Sequence, residues 1–205
     1  MQITFDFEMT SAIPVDIDDI RRLGVAEWAA DAAARFTAAV DTPVELHDRL
    51  RSALSSVASE ASDDARRFLL VGIDALALAP FVFFVTDGEL TRQEQAEFLW
   101  SPTAILPPAP LRSETEHLGV GFSSTLAQRE DGVDFGTRRW LFFGQGRTAG
   151  ALLGPVAPYA LAVLEPVAER ILATARAEGF VALHADDRVT ELESAVVRAG
   201  DDWKA

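Results

Sequence analysis

The sequence predicts an α+β fold: a mostly antiparallel sheet of about six strands, with two N-terminal helices and a long C-terminal helix packed against it. Three observations predict it. Residues 133–178 hold two apolar runs hinged on Gly144-Gln145-Gly146, then a long segment with apolar residues at helical spacing, which reads as a hairpin feeding a helix that packs back across the sheet. Residues 67–86 are the most apolar block and are dense in β-branched and aromatic side chains, as in strands covered on both faces. Turn signals at Asp131-Gly132 and Gly144-Gln145-Gly146 point to hairpins rather than to parallel crossovers.

Along the chain, Ile3, Phe5, Phe7 and Met9 alternate with Gln2, Thr4, Asp6 and Glu8, predicting a strand with one buried face that Pro14 ends. Asp16, Asp18 and Asp19 stand where carboxylates favour a helix N-terminus. Ile20, Leu23, Trp28, Ala32 and Phe36 then recur at helical spacing, with Gly24 splitting a short turn from a longer piece. Asp41-Thr42-Pro43 is a second start signal, a capping residue followed by proline, ahead of the stripe Leu46, Leu50, Leu54 and Val57. Ser55 to Asp64 is small and polar, a helix end and loop that includes Asp63 and Asp64.

Phe68–Ile73 and Phe81–Val85 are strand-like, and Pro80 between them argues against one continuous central strand. Thr91-Arg92-Gln93-Glu94 matches a capping box, predicting a short helix from Thr91 to Trp100; a strand paired through the Asp87-Gly88 turn is the alternative. Ser101 to Pro110 contains Pro102, Pro107, Pro108 and Pro110 and reads as an extended surface loop. Strands are expected over Leu118–Arg129, Val133–Phe143 and Arg147–Leu153. In the last long helix Leu161, Leu164, Val167 or Ala168, Ile171 and Ala175 share a face and Gly179 is the stop; Pro166 requires either a start at Glu165 or a kink. Phe180 to His184 is a further short strand, so residues 1–184 form a single domain and 185–205 a charged helix and tail.

The chain carries 32 acidic and 18 basic side chains, a formal charge of −14, which disfavours nucleic-acid phosphate and suits a basic protein partner. All but one of the basic residues are Arg, the exception being Lys204, and with the abundant Ala this points to a GC-rich bacterial genome. The absence of cysteine excludes disulfides, Cys-based zinc sites, thiol catalysis and a lipid anchor on Cys. The acidic, alternating N-terminus is unlike a signal peptide, and no stretch approaches the ~18 uninterrupted apolar residues of a membrane span; a soluble, cytoplasmic protein is expected.

Motifs of chemistry are weak. Gly144-Gln145-Gly146-Arg147-Thr148-Ala149 fits G-x-G-x-x-A, but no helix opens after it to hold a pyrophosphate, so it reads as a hairpin turn. His47, His117 and His184 lie far apart in the sequence and outside any paired-ligand spacing. Ser123 and Ser124 in GFSST lack the second glycine of a nucleophile elbow and read as strand-face hydroxyls. Neither a cofactor nor a metal is expected. In Arg138-Arg139-Trp140 one arginine is expected to face solvent and Trp140 the core. Trp100, beside the proline loop, is the exposed-aromatic candidate, although core packing is the better single reading for it.

The segments RRLGVAEWAADAAARF (21–36), FVFFVTDGEL (81–90) and RTAGALLGPVAPYALAVLEPVAERILATAR (147–176) give the chain an order of elements that resembles actinobacterial LpqN-type proteins and their PsbP-like three-layer fold. The resemblance spans residues 15–180. It departs from the family in lacking a lipobox Cys and in carrying the N-terminal strand and the 101–110 insert. It implies a binding or accessory protein and carries over no functional residue. The expected function is therefore a non-enzymatic, cytoplasmic, protein-binding accessory protein of chaperone, adaptor or immunity type. Its expected contact residues are Trp100, Pro102 and Pro107 together with Asp16, Asp18, Asp19, Asp63 and Asp64. The alternatives are a self-assembling subunit using strand edges in 67–86 or 133–153, and an uncharacterised hydrolase.

Overall fold

A computed structural model describes residues 2–183 and 186–200. The fold is α+β, built on a seven-stranded, wholly antiparallel sheet in the order β2-β3-β4-β8-β7-β6-β5. Its strands are β2 (Ala12–Pro14), β3 (Ala65–Gly72), β4 (Ala77–Val85), β5 (Leu111–Thr115), β6 (Gly119–Glu130), β7 (Val133–Gly144) and β8 (Arg147–Val156). A separate two-stranded pair joins β1 (Ile3–Thr4) to β9 (Arg176–Ala177).

The period of two in each strand divides the side chains between two faces, and the helices cover both. One face presents Phe68, Phe81, Phe83, Ala151, Trp140 and Phe142 to α5 (Pro158–Thr174), which buries Leu161, Leu164, Ala168 and Ile171 against them. Over β2 and β3, the opposite face buries Ile13, Leu69 and Val71 under α1 (Ile17–Leu23), α2 (Val25–Ala39) and α3 (Val44–Ser59). Over β6 and β7, the same face buries Phe122, Leu126, Leu141 and Phe143 under α4 (Arg92–Leu99) and α6 (Asp186–Gly200). Three cores thus share one sheet.

Local signals explain most boundaries. The Asp16 carboxylate accepts from the amides of Asp18 and Asp19 at 2.9 and 3.1 Å, capping α1, and Gly24 adopts φ +84° between α1 and α2. Thr91 and Glu94 form a complete capping box at α4. Thr42 does not cap α3; its hydroxyl bonds the His47 Nε2 at 3.0 Å, and the helix begins after Pro43. Asp131 and Gly132 both take positive φ, the geometry that lets a two-residue turn follow the twist of its strands.

Other expectations are corrected. The N-terminal alternation holds through Phe7, but only Ile3 and Thr4 pair, and Met9 is exposed. Pro14 closes a second short strand, β2, that the alternation did not reveal. Pro80 lies inside β4: it pairs with Leu69 of β3 and sits one residue before the pairing with β8 begins at Phe81, where the strand has a single neighbour and a missing donor is tolerated. The last helix starts at Pro158, not Glu165, and runs through Pro166. An interior proline costs ~3 kcal/mol, and burial of Leu161, Leu164, Ile171 and Leu172 at about 2 kcal/mol each outweighs it. That helix ends at Thr174, and Gly179 instead turns the chain after β9 with φ +73°. Between Phe180 and Leu183 the expected strand reduces to a bridge from Ala182 to Gly144; His184 lies outside the described residues. Among the described residues, no helix is long and apolar enough to cross a membrane.

Candidate functional site

The residues expected to make contact fall at two ends of the sheet. Asp16, Asp18, Asp19 and Asp63 gather around α1, beside β2. Asp16 is consumed as the cap, Asp19 pairs with Arg22 at 2.5 Å, and Arg21 bridges Asp18 at 3.5 Å and Asp63 at 2.6 Å. The Arg21 guanidinium holds the Asp63 carboxyl below its ordinary range. Asp64 is exposed. This acidic face is thus partly neutralised by its own arginines. The proline loop lies against β6, five strand spacings from β2, or about 24 Å at about 4.8 Å per step.

Trp100 is not a surface aromatic. It is the C-terminal cap of α4, 4% exposed, and packs in the core under α4 and α6, with no partner for its indole Nε1 among the described residues. The run Leu99-Trp100 continues the buried face of α4 toward β6, which is why an apolar residue is needed there. Pro102 and Pro107 are exposed.

The loop beyond Trp100 is anchored at its base. Ala104 is buried, the Ile105 amide donates to the Ala127 carbonyl at 2.9 Å, and Gln128 Nε2 donates to Thr103 Oγ1 at 3.3 Å. Above that base Ile105, Leu106 and Leu111 are 36%, 56% and 56% exposed, and Pro107 stands among them. Glu130 and Asp131 are exposed at the β6–β7 turn, just past the anchoring residues Ala127 and Gln128. The loop therefore presents exposed apolar side chains from an anchored base, and it leads directly into β5, whose outer edge has no strand neighbour among the described residues. Sequence reasoning reached the loop but chose Trp100 over Ile105, Leu106 and Leu111.

Both arginines of Arg138-Arg139-Trp140 are turned inward, against the expectation that one faces solvent. Arg138, 5% exposed, lies under α5: it donates to Ser123 Oγ at 2.9 Å and Thr125 Oγ1 at 3.1 Å and stacks 5.6 Å from the Trp140 ring. Its Nε is 2.9 Å from Glu165 Oε1, off-axis for a hydrogen bond, so the contact is a close ion pair. Arg139 faces α4, donating to the Phe98 carbonyl at 2.6 Å while Ser124 Oγ donates to that of Leu99. The two side chains satisfy carbonyls at the end of α4, and the guanidinium meets the negative pole of its dipole. Burial pushes the Arg139 pKa down from its ordinary value.

Both serine hydroxyls are thus committed to the fold. His47 is bonded to Thr42, and His117 accepts from Arg176 Nε at 2.8 Å. Among the described residues no three His, Asp or Glu side chains converge as metal ligands. A cleft of about 650 Å³ separates α4 from α6 and is bracketed by the pairs Arg92–Glu191 at 2.7 Å and Arg188–Glu89 at 3.2 Å.

No family model matches the chain, and no curated protein matches it. A crystal structure of a Bacteroides thetaiotaomicron protein is similar over 58% of this chain and 41% of its own, at 13% identity and a TM-score of 0.38. This chain spans less than half the length of that protein, and a likeness of this degree carries no argument about fold or function.

Proposed function

We propose that the chain is a non-enzymatic, cytoplasmic accessory protein of adaptor, chaperone or immunity type that binds a basic protein client. The observation that carries the reading is the anchored loop, whose Ile105 and Leu106 are exposed above a base bonded to Ala127 and Gln128 of β6. An apolar apex gives area to bury, and its rigid base reduces the ordering cost of binding. The charge of −14 favours a cationic partner and steers its approach. The resemblance to LpqN-type proteins supports the same class of function. The contact residues differ from the expected set, because Trp100 is buried and Asp16 and Asp63 are engaged within the fold.

The test is affinity capture of the tagged chain from its own cell lysate at low and high salt, with Ile105→Ala/Leu106→Ala and Glu130→Arg as comparisons. A stoichiometric basic protein, weakened by salt and by both variants, is the expected result. Capture unchanged by both folded variants sinks this siting.

A further inference from the structure

We propose that two copies of this chain pair edge to edge through β5, extending the sheet across a two-fold axis at Ser113. The expected self-assembling edges in 67–86 and 133–153 are unavailable: β3, β4, β7 and β8 each have a neighbour on both sides. The free edges of the main sheet are β2, three residues ending in Pro14, and β5. Among the described residues, no main-chain hydrogen bond runs to the outer side of β5.

The occupant follows from the sign pattern. Arg112 and Glu114 lie two apart on one face of the strand, 52% and 65% exposed, with 3.7 Å between their charged groups. An axis perpendicular to the sheet keeps faces matched, so opposing residues must be of equal parity. Centred on Ser113, each Arg112 opposes Glu114 of the second copy, and each Leu111 opposes Thr115. Centring on residue 112 sets arginine against arginine, and centring on 114 sets glutamate against glutamate. Only the Ser113 register pairs opposite charges twice with no like pair opposed. Charges on a short edge strand ordinarily deter pairing, but here an antiparallel copy converts them to complementarity. The exposed Leu111 and the Ile105–Leu106 apex flank the seam and add apolar area. The two apices then stand at opposite ends of the seam, with the Leu111 positions about 14 Å apart at about 3.4 Å per residue.

Sedimentation velocity over a concentration series tests this with the full chain, R112E, E114R and the double swap R112E/E114R, each checked by thermal melting for a retained fold. The expected pattern is a dimer for the native chain, association weakened about tenfold or more by either single reversal, and recovery in the double swap. A native chain that stays monomeric at high micromolar concentration overturns the proposal. So does a dimer indifferent to the single reversals, or one that the double swap fails to restore. Client capture by monomeric single variants leaves the client reading standing, so the two proposals fail separately.

Discussion

Replacing Glu165 by Gln tests how α5 is held on the sheet. The change keeps side-chain shape and removes the carboxylate paired with Arg138, leaving a buried guanidinium with the Ser123 and Thr125 hydroxyls and the face of Trp140. Stranding a fully buried charge costs about 3–5 kcal/mol. Glu165 is 29% exposed and meets Arg138 off-axis, so solvent screening and imperfect geometry reduce the expected cost to about 2 kcal/mol. For a chain of this length that corresponds to a fall in Tm of about 4–8 °C. Urea and thermal unfolding of the native chain, E165Q, R138M and E165Q/R138M complete a double-mutant cycle. R138M is expected to cost at least about 1 kcal/mol less when Glu165 is already gone, because the charge it removes is then unpaired. Ser123 keeps a partner in R138M, since its hydroxyl also donates to the Leu111 carbonyl. An E165Q chain within about 0.5 kcal/mol of native, or an additive cycle, refutes the assignment of this pair as the pin between α5 and β7.

Trp100→Ala should cost about 3–5 kcal/mol in urea unfolding, whereas Trp100→Phe should cost under about 1.5 kcal/mol because it also removes the unpaired indole N–H. Ile105→Ala/Leu106→Ala should stay within about 1 kcal/mol of native stability, since both side chains project to solvent, and this separates a binding defect from unfolding. Gly121→Ala should cost about 3 kcal/mol or more, because an added Cβ would stand 2.2 Å from the Leu141 carbonyl oxygen; thermal melting reads the loss. Glu89 is held below its ordinary pKa by Arg188 first and the Gly146 amide second. A depressed folded pKa contributes stability that is present above the ordinary value of 4.5 and disappears as pH falls through the folded value. Protection factors of the α6 amides, corrected for the intrinsic exchange rate, should therefore fall on acidification below about pH 4.5, and E89Q should flatten that dependence.

What the sequence disclosed depends on where each signal was stored. Caps, turns and stripes are local: Asp16, Gly24, Thr91 with Glu94, Asp131-Gly132 and the Leu46–Leu50–Leu54 stripe all appear in the fold as read. Strands β2 and β5 are too short and too mixed to show a period, and they exist because neighbours supply the ladder. The two separate strands expected in 67–86 are present, but Pro80 falls inside β4 rather than between them, and α5 starts well before Pro166, because long-range packing offsets both local penalties. The candidate site was legible as a loop but not as residues. A proline cluster announces exposed backbone, whereas the burial of Trp100 depends on where α6 settles, some ninety residues downstream.

The separation of the two expected contact regions bears on how a client would be held. A partner touching both the α1 acids and the loop apex would have to reach about 24 Å along the sheet, and the α1 acids already share Arg21 and Arg22. Exposed pairs of this kind contribute little to stability, so evolution of the surface is not constrained to keep them for folding. Freeing them for a client would nonetheless require breaking contacts of 2.5–2.6 Å, whereas Glu130 and Asp131, three and four residues past the loop anchor at Ala127, make no such contact among the described residues. The loop end is therefore the energetically simpler half, with apolar area exposed there and carboxylates further along the strand that anchors it. If β5 pairs across a two-fold, that half is also duplicated, and one basic client with two matching segments would gain by avidity without any new contact.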